Sequence, residues 1–474
     1  MSESTETGMA SPEAASGAPA EAVPERRIAI VGAGPSGLFA AQSLIAQSDV
    51  PVRIDIIDRL PTPYGLLRYG VAPDHTSIKS VANALARTFD DPRVRFLGHI
   101  QFGTDTSREE LLAAYDAVVY AVGASEDAEL GVPGEHLAGS ISAREFVAWY
   151  SGHPDAQPQH LTGVTAAAAI GVGNVAVDVA RVLVKSAEAL STTDMPEAVL
   201  AELGRHDVSD VWVIGRRGPH LASFTTVELR ELVSLPGLTV TVNPDAFDGI
   251  PDDLDRRTKA NVEILREAAA RGEGDGPRRL HFAFWRRPVA LEGTERVETL
   301  VLERTRLDES GRVVGTGETE RLPVELVMRS IGYRSIPVPG VPFDERASVV
   351  SNVEGRVVDA EGVVRPREYV VGWVKRGPVG VIGTNKSDAA QTVRHLVADL
   401  GADLGADLGA EATAAGGPRR DIVDVWAERG VKPTTFADWQ AIDVAEIERG
   451  AALGRARTKI ESWRELLDLC RSAD

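Results

Sequence analysis

The sequence is poorest in cysteine. Among its 474 residues there is a single one, Cys470. One thiol cannot form an internal disulfide, a zinc cluster or an iron–sulfur cluster, nor the Cys-x-x-Cys pair that disulfide reductases use. Any redox chemistry must therefore come from a bound organic cofactor, and no set of metal ligands is predicted.

Long apolar runs and an excess of positive charge are also missing. No stretch approaches 18 consecutive apolar residues, so no transmembrane helix is expected. The net charge of −19 argues against general nucleic-acid binding, which needs a basic surface. The acidic balance is typical of a soluble protein, and the length is sufficient for two or three domains.

The N-terminal segment, residues 1–24, is rich in Ala, Ser, Glu, Pro and Gly. It has neither the apolar segment of a secretory signal nor the Arg-rich composition of a mitochondrial transit peptide. We therefore expect a disordered tail and a cytoplasmic protein. Residues 400–417 repeat Ala-Asp-Leu-Gly, which favours a linker, and residues 418–474 are predicted to form a helical tail.

Apolar runs between turn signals predict a set of buried strands. They lie at residues 27–31, 52–58, 118–123, 166–170, 211–215 and 369–372. The order strand, glycine turn, helix, strand occurs twice, which is typical of an α/β protein with two dinucleotide-binding units.

The first glycine motif is Gly32-x-Gly34-x-x-Gly37. Its first glycine permits a tight turn, its second lets the backbone approach a pyrophosphate, and its third lets the helix pack on the strand. An acid, Asp58, ends the next strand, where it can bind a ribose hydroxyl. FAD and NAD both fit this pattern.

The second glycine motif is Gly171-x-Gly173-x-x-Ala176, a known variant with alanine in third place. Its next strand is followed by Arg216 and Arg217, where an NAD site usually has an acid. Two guanidinium groups there can bind a phosphate, so NADP(H) is predicted over NAD(H). Solvated loop arginines are the alternative interpretation.

Two dinucleotide sites without a cysteine pair suggest a flavoprotein in which NADPH reduces FAD directly. Five longer stretches carry a more specific signal. They are residues 63–75 (PYGLLRYGVAPDH), 171–181 (GVGNVAVDVAR), 214–219 (IGRRGP), 228–232 (ELREL) and 372–382 (GWVKRGPVGVI). Together, and in this order, they resemble the ferredoxin–NADP reductases of the adrenodoxin-reductase type.

That resemblance implies an α/β fold of two Rossmann-like domains, with an NADP domain (127–336) inserted into a discontinuous FAD domain (25–126 and 337–474). It also assigns site residues. With the first glycine loop, the FAD positions are Gly32, Gly34, Pro35, Ser36, Gly37, Asp58, Leu66, Phe102, Trp373, Gly380, Val381 and Ile382. The NADP positions are Val172, Gly173, Asn174, Val175, Arg216, Arg217 and Glu228. The family usually has Glu where this chain has Asp58.

The resemblance further implies the reaction: hydride passes from NADPH to N5 of FAD, and single electrons pass on to a ferredoxin. His75 is a candidate for proton exchange, with Glu231 as its partner. A structural role for His75, capping the turn that begins at Ala72, is the alternative. An acidic ferredoxin would need a basic docking face. The candidates are Arg278, Arg279, Arg286, Arg287, Lys375 and Arg376.

Other classes share parts of this pattern. The small subunit of glutamate synthase and the disulfide reductases of thioredoxin-reductase type both need cysteines that this chain lacks. A non-enzymatic NADP sensor stays open, and would bind nucleotide without reducing a dye. The resemblance is also compatible with a cytochrome P450 further along the electron path.

Overall fold

A computed structural model describes residues 25–272, 274, 276–380, 382–403 and 419–471. The predicted tail 1–24, Val381 and most of the predicted linker lie outside these residues. The start of the linker prediction is wrong, because a helix, Ile382–Asp403, continues through Leu400. That leucine is 3% exposed and packs into the core, which holds the helix together at this point.

The chain forms twenty strands among the described residues. They are β1 (Arg26–Val31), β2 (Val52–Ile57), β3 (Val94–Leu97), β4 (Ala117–Tyr120), β5 (Glu126–Asp127), β6 (Ser140–Ser142), β7 (Ala166–Ile170), β8 (Asp210–Gly215), β9 (Thr239–Val242), β10 (Arg279–Phe284), β11 (Arg286–Glu292), β12 (Thr299–Leu307), β13 (Val313–Pro323), β14 (Leu326–Arg329), β15 (Tyr333–Arg334), β16 (Phe343–Asp344), β17 (Val349–Val350), β18 (Asn352–Val353), β19 (Arg356–Val358) and β20 (Val364–Val370). All six predicted strands are present, with ends that differ by a few residues.

Helices cover the sheets. They are α1 (Pro35–Gln47), α2 (Leu66–Tyr69), α3 (Thr76–Lys79), α4 (Val81–Ala86), α5 (Arg108–Ala114), α6 (Ala143–Tyr150), α7 (Asn174–Val184), α8 (Ala187–Leu190), α9 (Glu197–Leu203), α10 (Thr226–Val233), α11 (Arg256–Ala270), α12 (Trp373–Arg376), α13 (Ile382–Asp403), α14 (Ile422–Ala427), α15 (Phe436–Ala452) and α16 (Trp463–Arg471). None of the described helices is long and apolar enough to cross a membrane.

The first sheet has the order β18-β19-β20-β4-β1-β2-β3. Its five strands from β20 to β3 are parallel, and β18 and β19 extend it as antiparallel strands. The last four residues of the middle strand β1, Ile28 to Val31, are apolar and buried, since helices cover both faces of a parallel sheet. Two separate apolar clusters lie on the two faces of this sheet.

The second sheet has the order β6-β14-β7-β8-β10-β9, with every neighbouring pair parallel. All its strands lie in the sequence between β4 and β18 of the first sheet. An antiparallel sheet, β11-β12-β13, packs beside it. The α/β fold with two Rossmann-like sheets, one inserted into the other, is thereby confirmed.

The two units are joined by a short antiparallel ladder. Strands β5 and β15 pair with each other, Asp127 opposite Tyr333 and Glu126 opposite Arg334. The chain thus enters and leaves the second unit side by side.

The C-terminal helices contact both units. Trp426 and Trp439 are buried and pack in the core. Trp463 is only partly buried, and its indole N–H donates to Asp155, which lies between β6 and β7 of the second unit, at 2.6 Å. Trp463 therefore links the C-terminal tail to the second unit by a hydrogen bond.

Candidate functional site

The first glycine loop joins β1 to α1 at the carboxyl edge of the first sheet. Gly32 has a φ of +115°, and a Cβ there would lie 2.5 Å from the carbonyl oxygen of Ala121. A Cβ at Gly37 would lie 2.0 Å from the Gly32 oxygen. At Gly34, however, a Cβ would meet no atom of the described chain within 4 Å. The loop therefore has an open side where a pyrophosphate fits.

Ser36 and Gly372 bring a second segment to this loop. Gly372 has a φ of +78°, and a Cβ there would lie 2.2 Å from Ser36 Oγ. The next residue, Trp373, stacks on Tyr333 with ring centroids 5.5 Å apart. The backbone then runs through exposed Gly380 to Ile382, the first residue of α13. The structure thus brings the N-terminal ends of α1 and α13 close to one another.

Asp58 directly follows β2, and its side chain forms a hydrogen bond with the first glycine loop. Its carboxylate accepts the N–H of Ala33 at 2.7 Å and the N–H of Leu60 at 2.9 Å. Burial raises the pKa of Asp58, and these two backbone N–H groups partly oppose that rise. The side chain thus fixes the glycine turn, in addition to the ribose contact predicted for it.

The other two predicted FAD positions differ in their surroundings. Leu66 begins α2 directly after Gly65, whose own Cβ would lie 3.0 Å from the Gly34 Cα. It therefore sits close to the first loop. Phe102 packs edge-on against buried Tyr120, with centroids 5.8 Å apart. A role of Phe102 beside the cofactor stays a prediction.

The second glycine loop joins β7 to α7. Gly171 has a φ of +135°, and a Cβ there would lie 2.1 Å from the Ser330 oxygen. Val172 accepts the N–H of Ser223 at 2.9 Å, and Asn174 Oδ1 accepts the N–H of Thr225 at 2.8 Å. The Asn174 side chain thus holds the segment before α10. Gly173 and Val175 complete the loop and are half-buried.

Arg216 and Arg217 directly follow β8, and both are exposed. Their backbones are fixed, because Thr305 donates to the Arg216 carbonyl and the Trp285 N–H donates to that of Arg217. Among the described residues no carboxylate lies within ion-pair distance of either guanidinium group. Both side chains are thus available to a phosphate at the end of the second strand.

His75 lies where the two units meet. Its Nε2 atom is 2.8 Å from Glu228 Oε2 of α10, whereas Glu231, the predicted partner, is 4.0 Å away. Asp178 of α7 is at 3.9 Å. The His75 N–H donates to the Ala72 carbonyl within the turn, so the backbone closes the turn while the imidazole extends to the second unit. Glu228, predicted as an NADP contact, is the nearest carboxylate to the imidazole.

The charges of this cluster are strongly coupled. Burial alone would lower the pKa of His75, but the carboxylates of Glu228 and Asp178 together outweigh it and the pKa is raised. Burial raises the pKa of Asp178 to about 6. The Asp178 carboxyl can therefore exchange a proton near neutral pH. A metal ion is disfavoured here, since Arg181 and Lys185 already bring positive charge to these carboxylates.

Sequence reasoning missed three charged residues of this cluster: Asp74, Arg181 and Lys185. Arg181 is 0% exposed and pairs with Asp74 at 2.9 Å, and Lys185 pairs with the same carboxylate at 2.7 Å. A signal was present, because a lone arginine within the apolar run of α7 must find buried partners. Its partners could not be read from spacing.

The six candidate docking residues do not form one free basic face. Lys375 is buried and pairs with Asp388 at 2.9 Å, so it cannot contact a partner protein. Arg279 pairs with Asp210 and Arg287 with Glu303, both at 2.6 Å. The others bind carbonyl, amide or carboxylate oxygens: Arg278, Arg286 and Arg376. Carboxylates thus lie within ion-pair distance of five of these six side chains, whereas Arg278 binds the uncharged carbonyl of Val184.

The fold and site define a class of protein, a two-site dinucleotide-binding oxidoreductase whose Rossmann-type units meet at a titratable cluster. A family model described as FAD-NAD(P)-binding matches residues 29–169. The chain is 45% identical to the NADPH-ferredoxin reductase FprA of Mycobacterium tuberculosis over 455 residues, covering 93% of this chain and 98% of that one. It is 39% identical to the mitochondrial NADPH:adrenodoxin oxidoreductase of Homo sapiens over 465 residues, covering 94% and 91%.

Solved structures agree. The structure of Mycobacterium tuberculosis FprA in complex with NADPH superposes with a TM-score of 0.86 at 43% identity, covering 95% of this chain and all of that one. The chain therefore belongs to the family of NADPH-ferredoxin reductases that includes the NADPH:adrenodoxin oxidoreductases. The resemblance inferred from the five motifs is confirmed.

Proposed function

We propose that this protein transfers electrons between NADPH and a ferredoxin-type iron–sulfur protein through bound FAD. One observation carries the proposal: two glycine loops of the same geometry are followed by opposite charges, Asp58 after one and Arg216–Arg217 after the other. Full-length similarity to NADPH-ferredoxin reductases supports the same activity. The chain is an FAD-dependent ferredoxin–NADP reductase.

In this proposal residues 25–126 and 337–474 form the FAD domain, and residues 127–336 form the NADP domain. The ladder between β5 and β15 supports this division, because both connections cross there. In the FAD domain the N-terminus of α1 receives the pyrophosphate, since the helix starts at Pro35 and the backbone N–H groups from Ser36 onward can face negative charge. Gly34, which has no side chain, leaves space for this pyrophosphate, and Asp58 binds the ribose of FAD.

In the NADP domain the loop from Val172 to Val175 receives the pyrophosphate of NADPH. Arg216 and Arg217 bind its 2′-phosphate, because both are exposed, backbone-fixed and without a carboxylate partner in the described chain. Trp373, Gly380 and Ile382 cover the reacting rings. The glycine at position 380 has a φ of +90°, which lets the backbone approach a planar ring closely.

Bound FAD accepts hydride from a nicotinamide and releases electrons singly, which joins a two-electron donor to a one-electron carrier. The protein positions the groups and manages protons. His75 holds a proton at Nε2, with Glu228 beside it and Glu231 within reach at the surface. Burial opposes the charged imidazole, but the neighbouring carboxylates raise the pKa of His75 and so favour its protonated form.

The partner is a ferredoxin-type protein, and a cytochrome P450 further along the path is part of the proposal only. Both proteins being acidic overall, docking needs a local basic area, which the six sequence candidates do not supply. We place the reaction in the cytoplasm, where NADPH is available. The test of electrostatic docking is ionic strength: the ferredoxin reduction rate should fall steeply with salt, and a constant rate would reject it.

The decisive experiment is the absorption spectrum of the purified protein under anaerobic conditions, before and after adding NADPH. Flavin bands that bleach with NADPH, and much more slowly with NADH, are the expected result. A colourless protein that cannot be reconstituted with FAD would end the proposal. A nucleotide sensor would bind NADPH without bleaching and without reducing a dye, which separates that alternative.

A further inference from the structure

Arg181 is the most deeply buried charged side chain of the cluster. It lies within α7, between apolar neighbours, and its relative exposure is 0%. Burying a guanidinium group without partners is costly, and an apolar side chain would fill the same space at less risk. The presence of Arg181 at this buried position therefore indicates a function beyond packing.

Its partners come from three segments of the chain. Two nitrogens of the guanidinium group donate to the two oxygens of Asp74, each at 2.9 Å. A third contact joins it to Asp178 Oδ1 at 2.9 Å, one turn earlier on α7. A fourth joins it to Glu228 Oε2 of α10 at 3.4 Å. The planar fork of arginine satisfies these contacts together, which the point charge of a lysine cannot do.

The Glu228 oxygen is shared. The same Oε2 atom lies 2.8 Å from His75 Nε2 and 3.4 Å from Arg181 Nη1. Asp74, which the arginine grips with two bonds, is the residue before His75. One guanidinium group therefore fixes both the backbone that carries the imidazole and the carboxylate that faces it.

We propose that Arg181 is a positioning residue for reduction by NADPH, which aligns the His75 imidazole of the FAD domain with Glu228 of the NADP domain. This inference rests on the proposed function of His75. The arginine touches neither reacting ring in this account. It acts by holding the His75 imidazole and the Glu228 carboxylate in a fixed position relative to each other.

Electrostatics gives the proposal a signature. The Arg181 charge lowers the pKa of His75, of Glu228 and of Asp178. Removing it should therefore raise the pKa of the cluster. The other charged groups that face these side chains are Asp74, Lys185 and Glu231, and the hydroxyl groups of Tyr150 and Tyr333 feel the charge of Asp178.

Lys185 supplies a matched control. It lies one turn further along the chain than Arg181, pairs with Asp74 at 2.7 Å and reaches Glu231 at 3.6 Å. In the described chain its ion pairs include neither His75 nor Glu228. Lys185→Met thus removes a positive partner of Asp74 without touching the His75–Glu228 pair.

The experiment compares Arg181→Lys, Arg181→Met, Lys185→Met and His75→Gln, each as the FAD-loaded protein. Stopped-flow rates of flavin reduction by NADPH are measured from pH 5 to 9 with the FAD content of each variant. Arg181→Lys should slow reduction by roughly 10-fold and change the pH midpoint, with FAD content retained. Arg181→Met should move the midpoint upward. If it does not fold, Arg181→Lys still decides.

The outcomes separate the two claims. Lys185→Met should lose much less rate than Arg181→Lys; an equal loss would mean that ion pairing to Asp74 explains the effect, and would overturn the inference. His75→Gln should flatten the pH profile, and an unchanged profile would instead remove the proposed function of His75. A flattened profile in His75→Gln with wild-type rate and midpoint in Arg181→Lys would defeat the Arg181 proposal alone.

Discussion

The two glycine loops begin with the same kind of tight turn, but residues of opposite charge follow the next strand in each unit. The N–H of Gly32 donates to Ile57 at 2.7 Å, and that of Gly171 donates to Ile214 at 2.8 Å, each the corresponding residue near the end of the next strand. In both loops a Cβ on the first glycine would collide with a backbone carbonyl of a neighbouring strand's end. The scaffold is thus repeated.

The residues after the second strand then diverge. Asp58 turns inward and accepts backbone N–H groups, whereas Arg216 and Arg217 point to solvent without carboxylate partners in the described chain. The acid stabilises its own loop, while the arginines are left for a ligand. We therefore predict that specificity between the two nucleotides resides at the strand ends, not in the glycines that the two loops share.

The largest effect should come from the first loop's glycines. Gly37→Ala would place a methyl 2.0 Å from a carbonyl and should destabilise the protein by about 3 kcal/mol. Gly34→Ala meets no described protein atom, so it should fold normally yet lose FAD affinity by roughly 100-fold, since hydrogen bonds to the pyrophosphate are lost. Thermal unfolding and FAD titration measure both. Normal FAD binding by Gly34→Ala would place the pyrophosphate elsewhere.

The second effect tests the charge after β8. Replacing Arg216 and Arg217 together by alanine should raise the KM for NADPH by about 10- to 100-fold, because charge-assisted hydrogen bonds to the 2′-phosphate are lost. The KM for NADH should hardly change. Steady-state dye reduction with both nucleotides is the measurement, and exposed Arg306 is a control arginine. Equal losses with both nucleotides would contradict a phosphate site.

A third, smaller effect concerns Asp58. Asp58→Ala leaves the N–H groups of Ala33 and Leu60 without their acceptor and should weaken FAD binding by about 10-fold. Asp58→Asn keeps one acceptor oxygen and should lose less. FAD dissociation constants for the two variants give the comparison. An identical loss in both would indicate that the negative charge, not the hydrogen bonds, is what matters.

The smallest effect concerns the C-terminal helical tail, which contacts both units. Burial lowers the pKa of Lys459 from 10.5 to about 7, although Asp194 opposes this. The unfolded chain binds this proton more tightly, so wild-type stability should rise between pH 7 and 10.5. Lys459→Met should lack that rise and be about 1 kcal/mol more stable at pH 6. Urea unfolding at pH 6 and at pH 10.5 measures these stabilities. Exposed Lys432→Met is the control, and its stability relative to the wild type should not change with pH.

Local patterns predicted the scaffold well. The buried strands, the glycine turns and the charge at Asp58 or Arg216 are encoded within a few neighbouring residues, where backbone sterics decide the conformation. The linker prediction was wrong at residues 400–403 because tertiary packing of Leu400 outweighs its glycine neighbours. The cluster at His75 depended on contacts between distant segments, so its nearest carboxylate and its buried arginine could not be read from spacing.

The ladder between β5 and β15 has a consequence for how such a chain can be assembled. Because Asp127 lies opposite Tyr333, the ends of the inserted unit are about 5 Å apart, the spacing of neighbouring strands. A whole nucleotide-binding unit can thus be inserted into a surface loop of another unit without distorting the backbone of either unit. A tight turn from residue 127 to residue 333 would therefore be enough to reconnect the chain of the first unit if the inserted unit were removed.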